Sequence, residues 1–139
     1  MTRFRLGGLL RLRRLEEERA AAALARANAD RAAARERRSR VAVELSGASF
    51  DDGDAASFQA AVAGRASLMG LLEESNLLLA MAAERADEAQ QDWTERRTDV
   101  RTLEKLEERH DAAVVAEEGR AEQLLADEVA LRGRGGQDA

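Results

Sequence analysis

The sequence predicts an all-α fold, an elongated antiparallel two-helix coiled-coil hairpin with the second helix longer than the first. Three observations predict it. None of the 139 residues is proline, so nothing forbids long continuous helix. Charged residues make up 35 % of the chain and aromatic residues 3 %, and alanine, leucine, glutamate and arginine dominate. That composition suits a seam between helices and offers too few large apolar side chains for a deep core. One stretch alone, residues 46 to 57, gathers the residues that favour turns and caps: Ser46, Gly47, Ser49, Asp51, Asp52, Gly53, Asp54 and Ser57.

The first helix is predicted over residues 4 to 45. Leu6, Leu10, Leu24, Ala27, Ala34, Val41 and Leu45 recur at heptad-like spacing. Gly7 and Gly8 are expected to delay its start or fray its first turn. In the break that follows, Asp54 is the candidate N-cap of the second helix, with Asp51 and Asp52 adding negative charge near the positive end of its dipole. The acidic cluster does not fit an EF-hand, because the twelfth residue counted from Asp51 is Val62 where a glutamate is required.

The second helix is predicted over residues 55 to 132, either continuous or broken. Gly133, Gly135 and Gly136 stop it, and a disordered tail is expected over residues 133 to 139. Its stripe reads Phe58, Val62, Met69, Leu72, Leu79, Ala83, Ala86 and Trp93. A second stripe reads Val100, Leu103, Val114, Ala121, Leu124 and Leu131, so a register shift is expected near residues 97 to 103. At 1.5 Å per residue the first helix is about 60 Å long and the second about 115 Å. The first helix then runs out of partner at about residue 96, leaving about 35 residues of the second either folded back or projecting as an overhang. Gly64 and Gly70 are the weak points of this helix. Between Leu68 and Met81 it is apolar on more than one face, which calls for a third helix, self-association or a docked partner.

The charge is divided. Residues 1 to 40 hold 12 arginines and 5 acidic residues, a net of +7, and the rest holds 10 basic and 22 acidic residues, a net of −12, which together give −5. A basic first helix beside an acidic second one suits antiparallel pairing. A nucleic-acid surface is the competing reading, but stacking aromatics and a binding motif are missing. The chain has no cysteine, hence no disulfide or thiol chemistry. No signal peptide is read in residues 2 to 15, where arginines mix with apolar residues. The most apolar window, residues 60 to 83, is interrupted by Arg65, Glu73, Glu74, Ser75 and Asn76, so no membrane span is expected.

Catalysis finds no footing. His110 is the only histidine and cannot seed a metal pair or a proton relay, so its expected place is the seam. Lys105 is the only lysine and lies in no phosphate loop. The carboxylates fall on helix faces that no pocket shields. The expectation is a non-enzyme without cofactor or metal.

The stretch from Trp93 to Leu131 carries the most specific signal. It runs Trp93-Thr94-Glu95-Arg96-Arg97, then Leu103-Glu104-Lys105-Leu106-Glu107-Glu108-Arg109-His110, then Asp127-Glu128 and Leu131, with Gly119 its only glycine. In order and spacing it resembles the C-terminal helix of the FliJ family, coiled-coil components of the bacterial flagellar export machine. The opening Phe4-Arg5-Leu6 and Leu9-Leu10-Arg11-Leu12-Arg13-Arg14-Leu15-Glu16-Glu17-Glu18 is similar to that family's start. Residues 30 to 90 match only in helical character.

The resemblance implies a long antiparallel hairpin, similar to the two coiled-coil helices of the rotary ATPase γ subunit. It implies a stalk in the central hole of the hexameric export ATPase that promotes its assembly and activity. It also implies a link to the membrane export gate, the handling of export chaperones, and a cytoplasmic location at the inner face of the cell membrane through the export apparatus, without insertion into the bilayer and without nucleic acid. On this analogy Arg96, Arg97, Arg101, Leu103, Leu106, Arg109, Asp127 and Glu128 face the ATPase, with Leu103 and Leu106 alternatively in the seam. Phe58, Val62 and Met69 match the gate-contacting positions, and Arg65 departs from the pattern. The alternatives are a generic coiled-coil scaffold, or the equivalent stalk of a type III secretion system.

Overall fold

The structure is a computed structural model describing residues 3–48 and 53–136. Two helices account for nearly all of them: α1, Gly7–Gly47, and α2, Ala55–Gly135. The fold is therefore an all-helical hairpin with the second helix the longer, and no strand occurs among the described residues. The chain divides into two compact units, Met1–Glu16 with Arg96–Ala139, and Glu17–Glu95.

Local chemistry sets the helix ends. The first bonds of α1 run from the Gly7 N–H to the Phe4 carbonyl at 3.2 Å and from the Leu10 N–H to the Leu6 carbonyl at 2.9 Å. The helix thus begins at Gly7, three residues later than the apolar pattern predicts. At its end the Ser46 hydroxyl donates to the Val43 carbonyl at 3.0 Å, and the Ala48 N–H reaches the Leu45 carbonyl at 3.3 Å. Asp54 caps α2: its Oδ1 accepts the Ser57 N–H at 2.8 Å, satisfying one of the orphan amides of the first turn. That bond from Ser57 holds the Asp54 carboxyl below its ordinary value. The expected turn contributions of Ser49, Asp51 and Asp52 lie outside the described residues.

α2 runs through Gly64, Gly70 and Gly119 without interruption and continues past Gly133 to Gly135. Arg132 and Arg134 lie in its last turn, where cations favour the negative end of the dipole. The expected tail at Gln137, Asp138 and Ala139 lies outside the described residues.

In the unit Glu17–Glu95 the seam is built from small residues. Ala20, Ala34, Ala82, Ala86 and Ser75 are buried, and Leu24, Ala27, Val41, Leu45, Leu68, Leu72 and Leu79 are half-buried. Arg31 also occupies a seam position, and its Nε is buried without a hydrogen-bond partner. Arg38 donates from Nε to Asn76 Oδ1 at 2.6 Å. That pairing puts Gly47, nine residues on, level with about residue 67 of an antiparallel partner. The start of α2 accordingly lies beyond the end of α1, and Phe58, Val62 and Met69 are exposed rather than in the seam, which passes through Ala61, Leu68 and Leu72.

In the other unit larger side chains meet. Leu10, Val100 and Leu103 form the buried cluster. The Phe4 ring lies 5.6 Å from that of His110, tilted by 46°. This places His110 in the seam. No register shift interrupts α2 at residues 97 to 103. Its shielded positions follow one three-four rhythm, Leu68, Leu72, Ser75, Leu79, Ala82, Ala86, Ala89, Trp93, Arg96, Val100, Leu103, Glu107, His110 and Val114. Beyond Val114 every described residue of the helix is exposed, so the unpartnered stretch begins about eighteen residues later than the length argument places it.

Candidate partner-binding surfaces

Arginines that look equivalent in sequence separate into two kinds. Arg96 is a seam residue: its Nη1 donates to Glu16 Oε2 at 3.0 Å, the oxygen that also accepts from Arg13 Nη1 at 3.0 Å. The hydrogen bond from Arg13, aided by the charges of Arg13 and Arg96, holds the Glu16 carboxyl below its ordinary value. Arg14 and Glu104 form a looser pair at 3.5 Å. Arg96 thus spends its charge within the hairpin.

Arg97, Arg101 and Arg109 point the other way and are exposed. They fall four residues apart in a series that includes Lys105, which is exposed too. Positions i and i+4 lie one above the other on a helix. Arg97, Arg101, Lys105 and Arg109 therefore form a continuous basic ridge four side chains long. A search for arginine motifs passes over Lys105; the four-residue spacing was the signal available to find it. Leu103 is buried beneath this stretch, whereas Leu106, beside the seam, is 38 % exposed.

Asp127 and Glu128 lie farther along, on the stretch without a cross-helix partner. Asp127 Oδ1 accepts from Gln123 Nε2 at 3.1 Å, and Glu128 Oε1 pairs with Arg132 Nη2 at 2.9 Å. Both are one-turn contacts within α2 that leave the carboxylates at the surface. Val115, Leu124, Leu125, Val129 and Leu131 are each more than 60 % exposed around them. A helix with that much apolar surface in water has a partner to gain.

Phe58, Val62 and Met69 belong to the unit Glu17–Glu95 and are exposed on α2. Leu71, Leu77, Leu78 and Met81 extend the exposed apolar surface of the same helix. The many-sided hydrophobicity between Leu68 and Met81 thus has one face in the seam and the others at the surface. No cluster of His, Cys, Asp or Glu suited to a metal occurs among the described residues. No helix among them is long and apolar enough to cross a membrane.

A family model described as "Flagellar FliJ protein" matches residues 2–137, nearly the whole chain. The chain belongs to the FliJ family. It is accordingly a component of the flagellar export apparatus, in a family of structural components rather than known enzymes. No curated protein and no solved structure gives a significant match.

Proposed function

We propose that this FliJ-family protein is a non-enzymatic stalk and adaptor of the flagellar export machine. In this reading it enters the central hole of the hexameric export ATPase, promotes ring assembly and hydrolysis, and links the ring to the membrane export gate. The observation that carries the reading is the outward ridge of Arg97, Arg101, Lys105 and Arg109 on a helix whose inner face is already occupied by Leu10, Val100 and Leu103. A ring whose hole is lined by carboxylates would meet this ridge. Exposed ion pairs contribute only about 0–1 kcal/mol each, so such a surface orients a stalk without locking it.

Within this proposal Arg97, Arg101, Lys105, Leu106, Arg109, Asp127 and Glu128 touch the ATPase. Arg96 and Leu103 act through the hairpin, holding the ridge in place. Phe58, Val62 and Met69 serve the gate, and export chaperones are further partners of the same apparatus.

The test is the hydrolysis rate and ring assembly of the cognate ATPase with the protein at equal stoichiometry. The protein is expected to stimulate hydrolysis and to co-migrate with the ring. The variant carrying Arg97→Gln, Arg101→Gln, Lys105→Gln and Arg109→Gln should lose stimulation while keeping its helical circular dichroism. Unchanged stimulation by that variant would overturn the ring assignment.

A further inference from the structure

We propose that residues 3 to 15 form a docking surface for an anionic phospholipid bilayer. Arg3, Arg5 and Arg11 would bind headgroup phosphates, and Leu9, Leu12 and Leu15 would enter the interface between them. The sequence is one-sided here: five arginines precede Glu16, the first acidic residue of the chain. Two of the five are used internally, Arg13 by Glu16 and Arg14 by Glu104. Arg3, Arg5 and Arg11 make no ion pair among the described residues, in a protein that carries 27 acidic side chains. Instead the three line one concavity of about 490 Å³ with Phe4, Gly7 and Gly8, and the Arg11 guanidinium lies 3.9 Å from where a Cβ on Gly8 would sit.

Apolar surface adjoins these unpaired charges. Leu10 faces inward and is 2 % exposed, while Leu9, Leu12 and Leu15 are 37 %, 50 % and 44 % exposed. Their spacing of three residues makes them a ridge on the helix surface. Leucines that enter an interface beside arginines that stay at headgroup level are the pattern of a helix lying in a membrane surface. Such a helix needs no spanning segment. An anionic bilayer meets both features at once, its phosphates taking the arginines and its apolar interface the leucines. This contact is separate from the proposed ATPase and gate contacts and does not rest on them.

The full-length chain is mixed with vesicles of phosphatidylcholine alone and of phosphatidylcholine with phosphatidylglycerol, and the bound fraction is read by co-sedimentation. Binding is expected on the mixed vesicles only, and it should fall as salt is added. A basic residue near an anionic surface raises partition on the order of fivefold. The variant R3Q/R5Q/R11Q should therefore bind on the order of 100-fold more weakly. The variant L9S/L12S/L15S should also lose binding, although its charge is unchanged. Circular dichroism verifies that both variants keep the hairpin. Equal binding to both kinds of vesicle, no binding to either, or wild-type binding by the arginine variant would overturn the proposal. So would binding of soluble polyglutamate without binding of vesicles, which would assign the surface to an acidic protein. No export protein is present in the assay, so failure of the stalk reading would leave its result unaffected.

Discussion

Arg96 and Glu16, 80 residues apart in sequence, meet with Nη1 3.0 Å from Oε2, and Arg13 donates to the same carboxylate oxygen. One acid thus ties the first turns of α1 to α2 at the level of the conspicuous arginine pair. Its carboxyl titrates below the ordinary 4.5, first because of the Arg13 hydrogen bond and then because of the two guanidinium charges. A carboxylate with a lower pKa in the folded than in the unfolded state contributes stability that is complete above the unfolded value. That contribution is lost as pH falls through the folded value. The Asp54 cap has the same sign, with an ordinary value of 3.8. Urea midpoints should therefore drop as pH is lowered from neutral to below both values. The double variant Glu16→Gln, Asp54→Asn should be less stable at neutral pH and should show a flatter pH profile. The asparagine keeps a competent cap, so the flattening would report the lost titration rather than a lost helix end.

Leu10 is the most deeply buried side chain described, and its neighbours Val100 and Leu103 complete the cluster. Leu10→Ala should cost about 2–3 kcal/mol, the lower part of the range for such truncations, because a two-helix seam can close partly around the gap. Leu12→Ala, at a half-exposed position two residues away, should cost less than about 1 kcal/mol. Chemical denaturation followed by helical circular dichroism measures both. Equal losses would mean that burial does not rank these leucines.

The hairpin was legible in the sequence because its punctuation is local. Asp54 announces a cap, the cluster around it announces the only break, and the absence of proline leaves the rest helical. The seam was only partly legible. Leu24, Ala27, Ala34, Val41 and Leu45 follow the apolar pattern, but Arg13, Glu17, Arg31, Arg96, Glu107 and His110 also hold shielded positions. Long polar side chains can cover a seam with their stems and keep their charged ends wet or paired. Counting apolar residues alone loses the rhythm where these side chains carry it, and a continuous heptad then reads as a register shift. Phe58, Val62 and Met69 mislead in the opposite direction. They share a helical stripe, yet the pairing register carries Phe58 and Val62 past the end of α1, and Met69, about level with Leu45, lies outside the seam that Leu68 and Leu72 occupy. In the candidate ATPase surface the arginine-rich turn stood out at once. Arg96 differs from its neighbour Arg97 in the seam position that sets it against Glu16, and that position is a property of the fold.

Gly64 and Gly70 lie in the interior of α2, and a Cβ at either would meet no neighbour within 4 Å. Nothing in the packing requires a glycine at these two positions. Alanine there limits the unfolded chain and leaves the folded contacts untouched. Each of Gly64→Ala and Gly70→Ala should stabilise the protein by about 0.5–1 kcal/mol, and the two should add to within a few tenths. Thermal and urea denaturation of the single and double variants checks this. A loss of stability would mean that one of these sites is needed as a bend.

From Val115 to Gly135 α2 has the sequence of a helix and no cross-helix burial. Isolated helices of this length are marginal in water, because nucleation is costly and propagation adds little per residue. Packing protects the amides of residues 96 to 110 through Leu10, Val100 and Leu103, whereas those of residues 115 to 135 open by local fraying. Hydrogen exchange of the free protein should therefore show a gradient along one continuous helix, slow before Val114 and fast after it. Adding the export ATPase should slow exchange in the fast segment if Asp127 and Glu128 engage the ring, and should leave the slow segment nearly unchanged. Removing residues 115 to 139 should lower total helicity while leaving the urea midpoint of the hairpin within experimental scatter. A marked drop in that midpoint would show that the stretch supports the fold, and the exposed leucines Leu124, Leu125 and Leu131 would then need an internal partner rather than an external one.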